Sequence, residues 1–466
     1  MAIKTIFPVT RIHEPMKVDV DVQNGAVADA WIGATLFRGF EAMMAGRDPQ
    51  DAALFTQRIC GICSTAHAVA AAYALQQAYR VEAPPNGQHL MNLIFAADII
   101  QNHLRHFYIL AFLDYVKGPD MPPYTPRLKG DYRIPKKIND ELMAHYRESV
   151  RIAARAHEML AIFGAKVPMA QTIMITGVTE KASAEKITAY AAILREISEW
   201  VDSVYLADVM IIAQYYRDYY HIGTGYGNML SYGMFPQPFT GKYAFLPGVV
   251  IEQGQTQPLD TGKIGEEIRY SWYRGKTERL PPDKGSTIPD RDKPEAYSWV
   301  KAPRYGGRCF EGGPLARGWI NGDYRRGISV MDRLVARAKE TQKICKLAAG
   351  WLEKLTPGGP AILPFTPPAE GDGAGLTDAM RGPLGHWISI RNGRLCHYQI
   401  VTPTTWNFSP RDNGGLRGPV EQALIGTPVA NADSLIEVGR VIRSFDPCFT
   451  CAVHLLEEPE APRCLL

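Results

Sequence analysis

Long apolar runs are missing from this 466-residue chain, and so is charge of one dominant sign. No stretch reaches the roughly 18 uncharged apolar residues that a membrane-spanning helix needs. The longest candidate, residues 91–100, is interrupted by Asp98 and followed by His103 and Arg105. Lys and Arg number 51 against 48 Asp and Glu, a net of +3. No basic face that could track a phosphate backbone is implied, so nucleic acid is not expected as a partner. Two locally basic stretches, 127–137 and 325–337, are interrupted by acids or apolar residues and read as solvated faces. The N-terminus, MAIKTIFPVTRIHE, has neither an apolar leader nor a twin arginine, so export directed by this chain itself is not expected. Cysteine is also scarce: eight residues are too few for a disulfide scaffold.

Hydrophobic residues make up 46% of the chain, enough to bury one large core or several ordinary ones. Residues 16–34 alternate apolar and polar side chains around Asn24-Gly25, the signature of a hairpin. From about Asn86, apolar residues 93, 96, 97, 100, 104, 107 and 110 recur at helical spacing. The same periodicity returns in 137–165, 181–222 and 319–355. Residues 223–250, 274–294 and 356–375 read as irregular, and 386–401 as a second hairpin turning at Asn392-Gly393. The GTGYGN segment at 223–228 has no strand–turn–helix setting, which excludes a nucleotide loop. No repeat and no dividing linker is present. The expected fold is mainly α: a single domain over 1–466, a large helical bundle with small peripheral β-hairpins.

Cys309, Cys345, Cys396 and Cys464 are isolated and read as ordinary thiols, but the other four cysteines form two CxxC pairs, Cys60/Cys63 and Cys448/Cys451. Together they offer four thiolates, the ligand count of a structural zinc or a cubane cluster. Structural zinc is the better reading of a bare pair of CxxC motifs. However, zinc usually knits a short local module, and these pairs lie about 390 residues apart. If they meet, both chain ends converge on one buried metal site.

The flanking residues are QRICGICSTAH, with His67, and FDPCFTCAVH, with Asp446 and His454. They resemble RxCGxCxxxH and DPCxxCxxH, the two signature motifs of nickel–iron hydrogenase large subunits. The resemblance continues in order through LFRGFE (36–41), GRDPQDA (46–52), HFY (106–108), KAPRY (301–305), RGPLGHW (381–387), YQIVTPTTWNFSPRD (398–412) and GTPV (426–429). It implies that Cys60, Cys63, Cys448 and Cys451 bind nickel. Cys63 and Cys451 would also bridge to an iron that carries carbon monoxide and cyanide. Soft thiolates suit both metals. Splitting dihydrogen heterolytically needs a metal and an adjacent base. The resemblance makes terminal Cys448 that base and sets Arg381 above the metals as a fixed cation. It matches Glu41, the carbonyl of Ile400 and His454 to the ligands of a magnesium (or iron) ion near the C-terminus. It also matches Thr404 to a hydroxyl on one cyanide, Asp446 to a carboxylate near Arg381, and His67 to a partner of a bridging sulfur. Read without that resemblance, Glu41 and Arg38 would be a simple surface pair. His103 and His106 receive no metal role.

The chain departs from the pattern in three places. Where relatives read RIEGH, it has Arg11-Ile12-His13-Glu14, so the proton relay falls to His13 or Glu14. The frequent DHxxHFY begins here with Asn102, and Met380 precedes Arg381 where proline is frequent. The implied activity is reversible oxidation of H2 to protons and electrons, in the uptake or hydrogen-sensing branch. Uptake is the first reading and a low-turnover sensor signalling through a partner the alternative. A relative that has lost the metals, as in quinone-binding subunits of respiratory complexes, is disfavoured by the four retained cysteines. The chain has no cysteines for electron transfer of its own. An iron–sulfur small subunit and a downstream electron acceptor are therefore implied, in a heterodimer or a multiple of it. The setting is cytoplasmic, with membrane association through partners, or periplasmic if exported with a small subunit. Residues 455–466 resemble a tail that a maturation endopeptidase removes after His454.

Overall fold

The computed structural model describes residues 2–452 apart from 123, 126, 128, 276, 277 and 432. Five helices of sixteen residues or more build the core: Ser64–Tyr79, Pro85–Arg105, Lys136–Gly164, Ala184–Trp200 and Val330–Glu353. Pro85–Arg105 is central, packed between Lys136–Gly164 and Val330–Glu353 and buried along nearly its whole length. It starts on Pro84-Pro85, where a missing N–H costs nothing, and runs on into a widened turn over His106–Ala111. The buried polar side chains of this helix must find partners inside the protein: Asn92 Nδ2 donates to the Pro236 carbonyl and Asn102 Nδ2 to the Ile62 carbonyl. No helix among the described residues is long and apolar enough to cross a membrane.

Small antiparallel sheets flank the bundle, as the sequence implies. Met16–Gln23 and Ala26–Ala34 pair across Asn24-Gly25, whose φ angles of 51° and 75° allow the tight turn. Ala2–Ile6 adds a third strand. The second hairpin turns at Asn392 (φ 52°) and Gly393 (φ 68°), and its strands are Gly382–Arg391 and Arg394–Val401.

Several expectations are corrected. Residues 371–375 are not irregular: they begin the strand Gly371–Ala379, which pairs with Gly382–Arg391 and lies directly on the Ser64–Tyr79 helix. Glycine hides this strand in the sequence, yet glycine is what the contact needs. A Cβ on Gly371, Gly373 or Gly375 would lie 2.5, 2.1 or 1.9 Å from the carbonyl oxygens of Ala78, Ala74 and Ala70. Two strand residues advance about 6.6 Å and four helix residues about 6 Å, so alternate glycines keep step with alanines four apart.

The 319–355 periodicity is two helices, Pro314–Asn321 and Val330–Glu353. Gly322 (φ 78°) ends the first, and Ser329 with Asp332 caps the second. The 181–222 helix ends at Tyr215, and 223–250 holds short strands. Within 325–337, Arg333 and Arg337 are buried rather than solvated, because Glu311 and Asp446 neutralise them.

The close glycine contact gives a stability test. Gly375→Ala should destabilise the protein by roughly 3 kcal/mol or more, since backbone on both sides must move. Thermal unfolding measures this, and an unchanged midpoint would show that the strand does not rest on the helix.

Candidate metal centre

Cys60 follows the short turn Gln57–Ile59, and Cys63 stands at the N-terminus of the Ser64–Tyr79 helix. Cys448 and Cys451 arrive on the turn opened by Pro447, with Phe449–Ala452 helical. All four are buried, and their sulfur atoms lie within 4.8 Å of one another. Sγ of Cys60 is 3.3 Å from Cys448, Cys63 is 2.9 Å from Cys451, and Cys448 is 3.4 Å from Cys451.

The two ends of the chain are sewn together around this cluster. The Phe449 N–H donates to the carbonyl of His13 at 3.0 Å, and the His13 N–H to the carbonyl of Pro447 at 3.4 Å. Arg38 donates to the carbonyls of Ile59 and Thr450, one in each cysteine loop. It is therefore a clamp on the two loops and not a surface partner of Glu41. Asn102 Nδ2 donates to the Ile62 carbonyl at 2.8 Å, and the Ile62 N–H approaches Cys60 Sγ at 3.3 Å. The Thr404 hydroxyl accepts the Cys448 N–H at 3.0 Å, which leaves its own proton free to donate elsewhere.

Four thiols this close cannot all ionise unaided. Hydrogen bonds from the neighbouring cysteines overcome burial to hold Cys60 well below the usual thiol range. The bond from Cys451 brings Cys448 down to about 7. The bond to Cys448 pushes Cys63 well up, and burial does the same to Cys451. A soft metal cation resolves the conflict by taking all four as thiolates, so the donor set fits a thiolate-bound transition metal.

Arg381 lies at the tip between Gly371–Ala379 and Gly382–Arg391, and Asn407 grips its carbonyl and Gly312 together. Its Nε meets Asp446 Oδ1 at 3.1 Å, and Arg337 Nη1 meets Oδ2 at 3.2 Å. Burial alone would raise Asp446, but Arg381, His106 and Arg337 hold it far below the carboxylate range. His13 Nε2 is 4.0 Å from Asp446 Oδ1; burial and Arg381 lower its pKa to about 4, so it is neutral at pH 7 and would hold an added proton only weakly. Glu14 is exposed and borders a cavity of about 50 Å³ with Leu36, Arg38, Phe449 and Thr450. His103 is bound by Glu340 and Arg337, and His106 by the Arg443 carbonyl, as befits structural histidines.

On the other side, His67 Nδ1 lies 3.1 Å from His386 Nε2, and His386 Nδ1 lies 2.9 Å from the Tyr398 hydroxyl. Glu41 is buried and accepts the Ile400 N–H at 3.3 Å. Glu266, which the sequence reading missed, accepts from Gln399 at 2.9 Å beside Lys301 at 3.7 Å. Burial raises Glu41 and brings Glu266 to about 7, with Lys301 opposing both shifts. Two buried carboxylates sharing one ammonium suit an added hard cation. The third expected ligand, His454, lies outside the described residues. Lys301 was available in KAPRY, whereas Glu266 carries no local signal.

Fold and site together define a protein with a buried four-thiolate site for a transition metal, built from its own two ends. Comparison with known proteins makes the class specific. The family described as nickel-dependent hydrogenase matches residues 38–127, 117–327 and 320–454. The periplasmic [NiFeSe] hydrogenase large subunit of Desulfomicrobium baculatum is 37% identical over 97% of this chain and 95% of its own. The hydrogenase-2 large chain of Escherichia coli is 29% identical over 97% of both. The reduced Ni-Fe-Se hydrogenase of Desulfovibrio vulgaris Hildenborough superposes with a TM-score of 0.95, at 40% identity, covering 97% of this chain and all of that one. The chain belongs to the nickel-dependent hydrogenase family: it is a large subunit, an oxidoreductase of H2 that binds its nickel–iron centre through four cysteines.

Because each sulfur is a ligand and no other CxxC exists, Cys60→Ala, Cys63→Ala, Cys448→Ala and Cys451→Ala should each abolish stable nickel incorporation. Elemental analysis reads this directly, and full nickel in any one variant would remove that residue from the site.

Proposed function

We propose that this subunit works in H2 uptake, passing electrons to an iron–sulfur small subunit and from there to a downstream acceptor. The observation that carries the reading is the buried four-sulfur cluster beside the Arg381–Asp446 pair. A relative 30% identical over 96% of this chain is named an uptake hydrogenase large subunit, from Rhizobium leguminosarum bv. viciae, which supports the direction. The names of the relatives as large subunits support pairing with a small one. The periplasmic name of one relative favours the exported setting over the cytoplasmic one, with export supplied by the partner.

When bound, the nickel–iron pair, its iron carrying carbon monoxide and cyanide, supplies the electron acceptance that cleavage of H2 requires. The chain's own residues do the rest. Cys448 receives the first proton, and His13 next to Asp446 takes it onward, with Glu14 following at the surface. Arg381 stays charged, directed at the metal side by Asp446 and by the Asn407 grip on its backbone. Thr404, whose hydroxyl accepts the Cys448 N–H, would donate to a cyanide. Glu41, the Ile400 carbonyl and His454 would hold a magnesium ion. All four ligand positions carry sulfur, although the first relatives are named for nickel, iron and selenium. The family match ends at residue 454, which supports removal of 455–466 by an endopeptidase.

One purified preparation tests this reading. It is expected to hold nickel and iron without stoichiometric selenium, show infrared bands of bound carbon monoxide and cyanide, end at His454 by mass, and oxidise H2 with a dye acceptor. Metal-loaded protein with negligible turnover would make it a sensor. Arg381→Lys should keep the bands but lower H2 oxidation by about 10–100-fold, since lysine keeps the charge and loses the fixed fork. Near-normal turnover would deny Arg381 its role.

The relay has its own test. His13→Gln should slow turnover by about 10-fold or more while metal loading persists, and Glu14→Gln should slow it less. Full activity in both would mean that the protons leave by another route.

A further inference from the structure

The central Pro85–Arg105 helix carries two buried polar residues one turn apart, Asp98 and Asn102. Asn102 Nδ2 faces three acceptors: the Ile62 carbonyl at 2.8 Å, the Asp98 carbonyl at 2.8 Å and Asp98 Oδ1 at 3.0 Å. Its Oδ1 faces the other way and accepts from Arg381 Nη2 at 3.5 Å. Turning the carboxamide over would set its oxygen against three oxygens, so only one orientation is bound. A carboxylate at 102 would meet the same three oxygens with no donor. It would also lie against the Asp98 carboxyl, and two carboxyls at that distance cannot both ionise.

We propose that Asp98 is a positioning residue for the hydrogenase reaction: by fixing the Asn102 carboxamide it holds together the Ile62 carbonyl, between the two N-terminal cysteine ligands, and the Arg381 guanidinium. This rests on the role given to Arg381 above. The amide at 102 fits the acid at 98, and the two hydrogen-bonded positions form one unit. Burial brings the Asp98 carboxyl up to about 7 against the pull of Arg105, Thr65 and Arg381, so Arg381 is within electrostatic reach of it. Asp98 touches no ligand sulfur. It acts through Asn102, which alone of the two contacts both the ligand loop and the arginine.

The test is a double-mutant cycle on the assembled enzyme, read by nickel content, infrared band positions and H2 oxidation with a dye. Asp98→Ala removes the acceptor and should shift the bands and cost about 10-fold or more in turnover. Asp98→Asn, which keeps an oxygen acceptor for Asn102, should lose clearly less. Asn102→Asp should be strongly impaired in the natural background and clearly less so in the Asp98→Asn background, where the carboxamide introduced at position 98 can donate to the new carboxylate while the Ile62 carbonyl still lacks its donor. This last pair stays informative if Asp98→Ala fails to fold, because both proteins carry polar side chains of unchanged size. Equal impairment of Asn102→Asp in both backgrounds, or unshifted bands and normal turnover in Asp98→Ala, would overturn the proposal. A natural enzyme without nickel or infrared bands would instead overturn the functional reading beneath it.

Discussion

Four sulfur atoms within 4.8 Å of one another, buried and drawn from residues 388 apart, place a demand that the rest of the chain must meet. Without a metal the thiols compete for protons. With a metal they bind it only if two distant loops are held in register. The register comes from backbone pairing of His13 with residues 447–449 and from Arg38, which takes one carbonyl from each loop. Stability and metal binding are therefore one property here. Because the metal binds the folded arrangement of the two loops and not the separated chain ends, its binding free energy adds to that of folding.

Behind the cluster lies a buried ladder of charge: Asp446 to Arg337, Arg337 to His103, His103 to Glu340, Glu340 to Arg317, and Arg317 to Asp378. Buried ion pairs contribute little net stability against apolar replacements, yet removing one partner is costly. What such a ladder provides is fixed geometry. Arg317 also holds the carbonyls of Ala379 and Met380, immediately before Arg381. The guanidinium facing the metal site is thus aligned at its backbone by Asn407 and Arg317 and at its head by Asp446. That is preorganisation in the sense that matters for catalysis, since little has to move when charge develops.

The sulfur site and the mainly helical fold with its two hairpins were legible in the sequence, because Asn-Gly turns, helical periodicity and CxxC pairs are local signals. What was not legible is instructive. The strand at 371–379 was hidden because alternating glycines look like disorder until the helix they touch is known. Arg333 and Arg337 looked like a solvated face because their neutralising partners, Glu311 and Asp446, are distant in sequence. Glu266 was invisible for the same reason. Each miss involves a side chain or backbone whose meaning depends on a contact across the fold, which no window of sequence contains.

The three departures from the family pattern converge in space. His13 sits beside Asp446, Asn102 beside Arg381, and Met380 is bonded through its carbonyl to Arg317 just before Arg381. None alters a sulfur ligand. The cysteines decide which metals bind and hence which reaction is available, while the groups around Arg381 decide how charge and protons are handled next to them. Asn102 has its match in Asp98, and His13 is kept uncharged at neutral pH by burial and by Arg381, so it adds no second cation beside the guanidinium. The three groups that depart from the pattern therefore gather about one guanidinium, and none of them is a sulfur ligand.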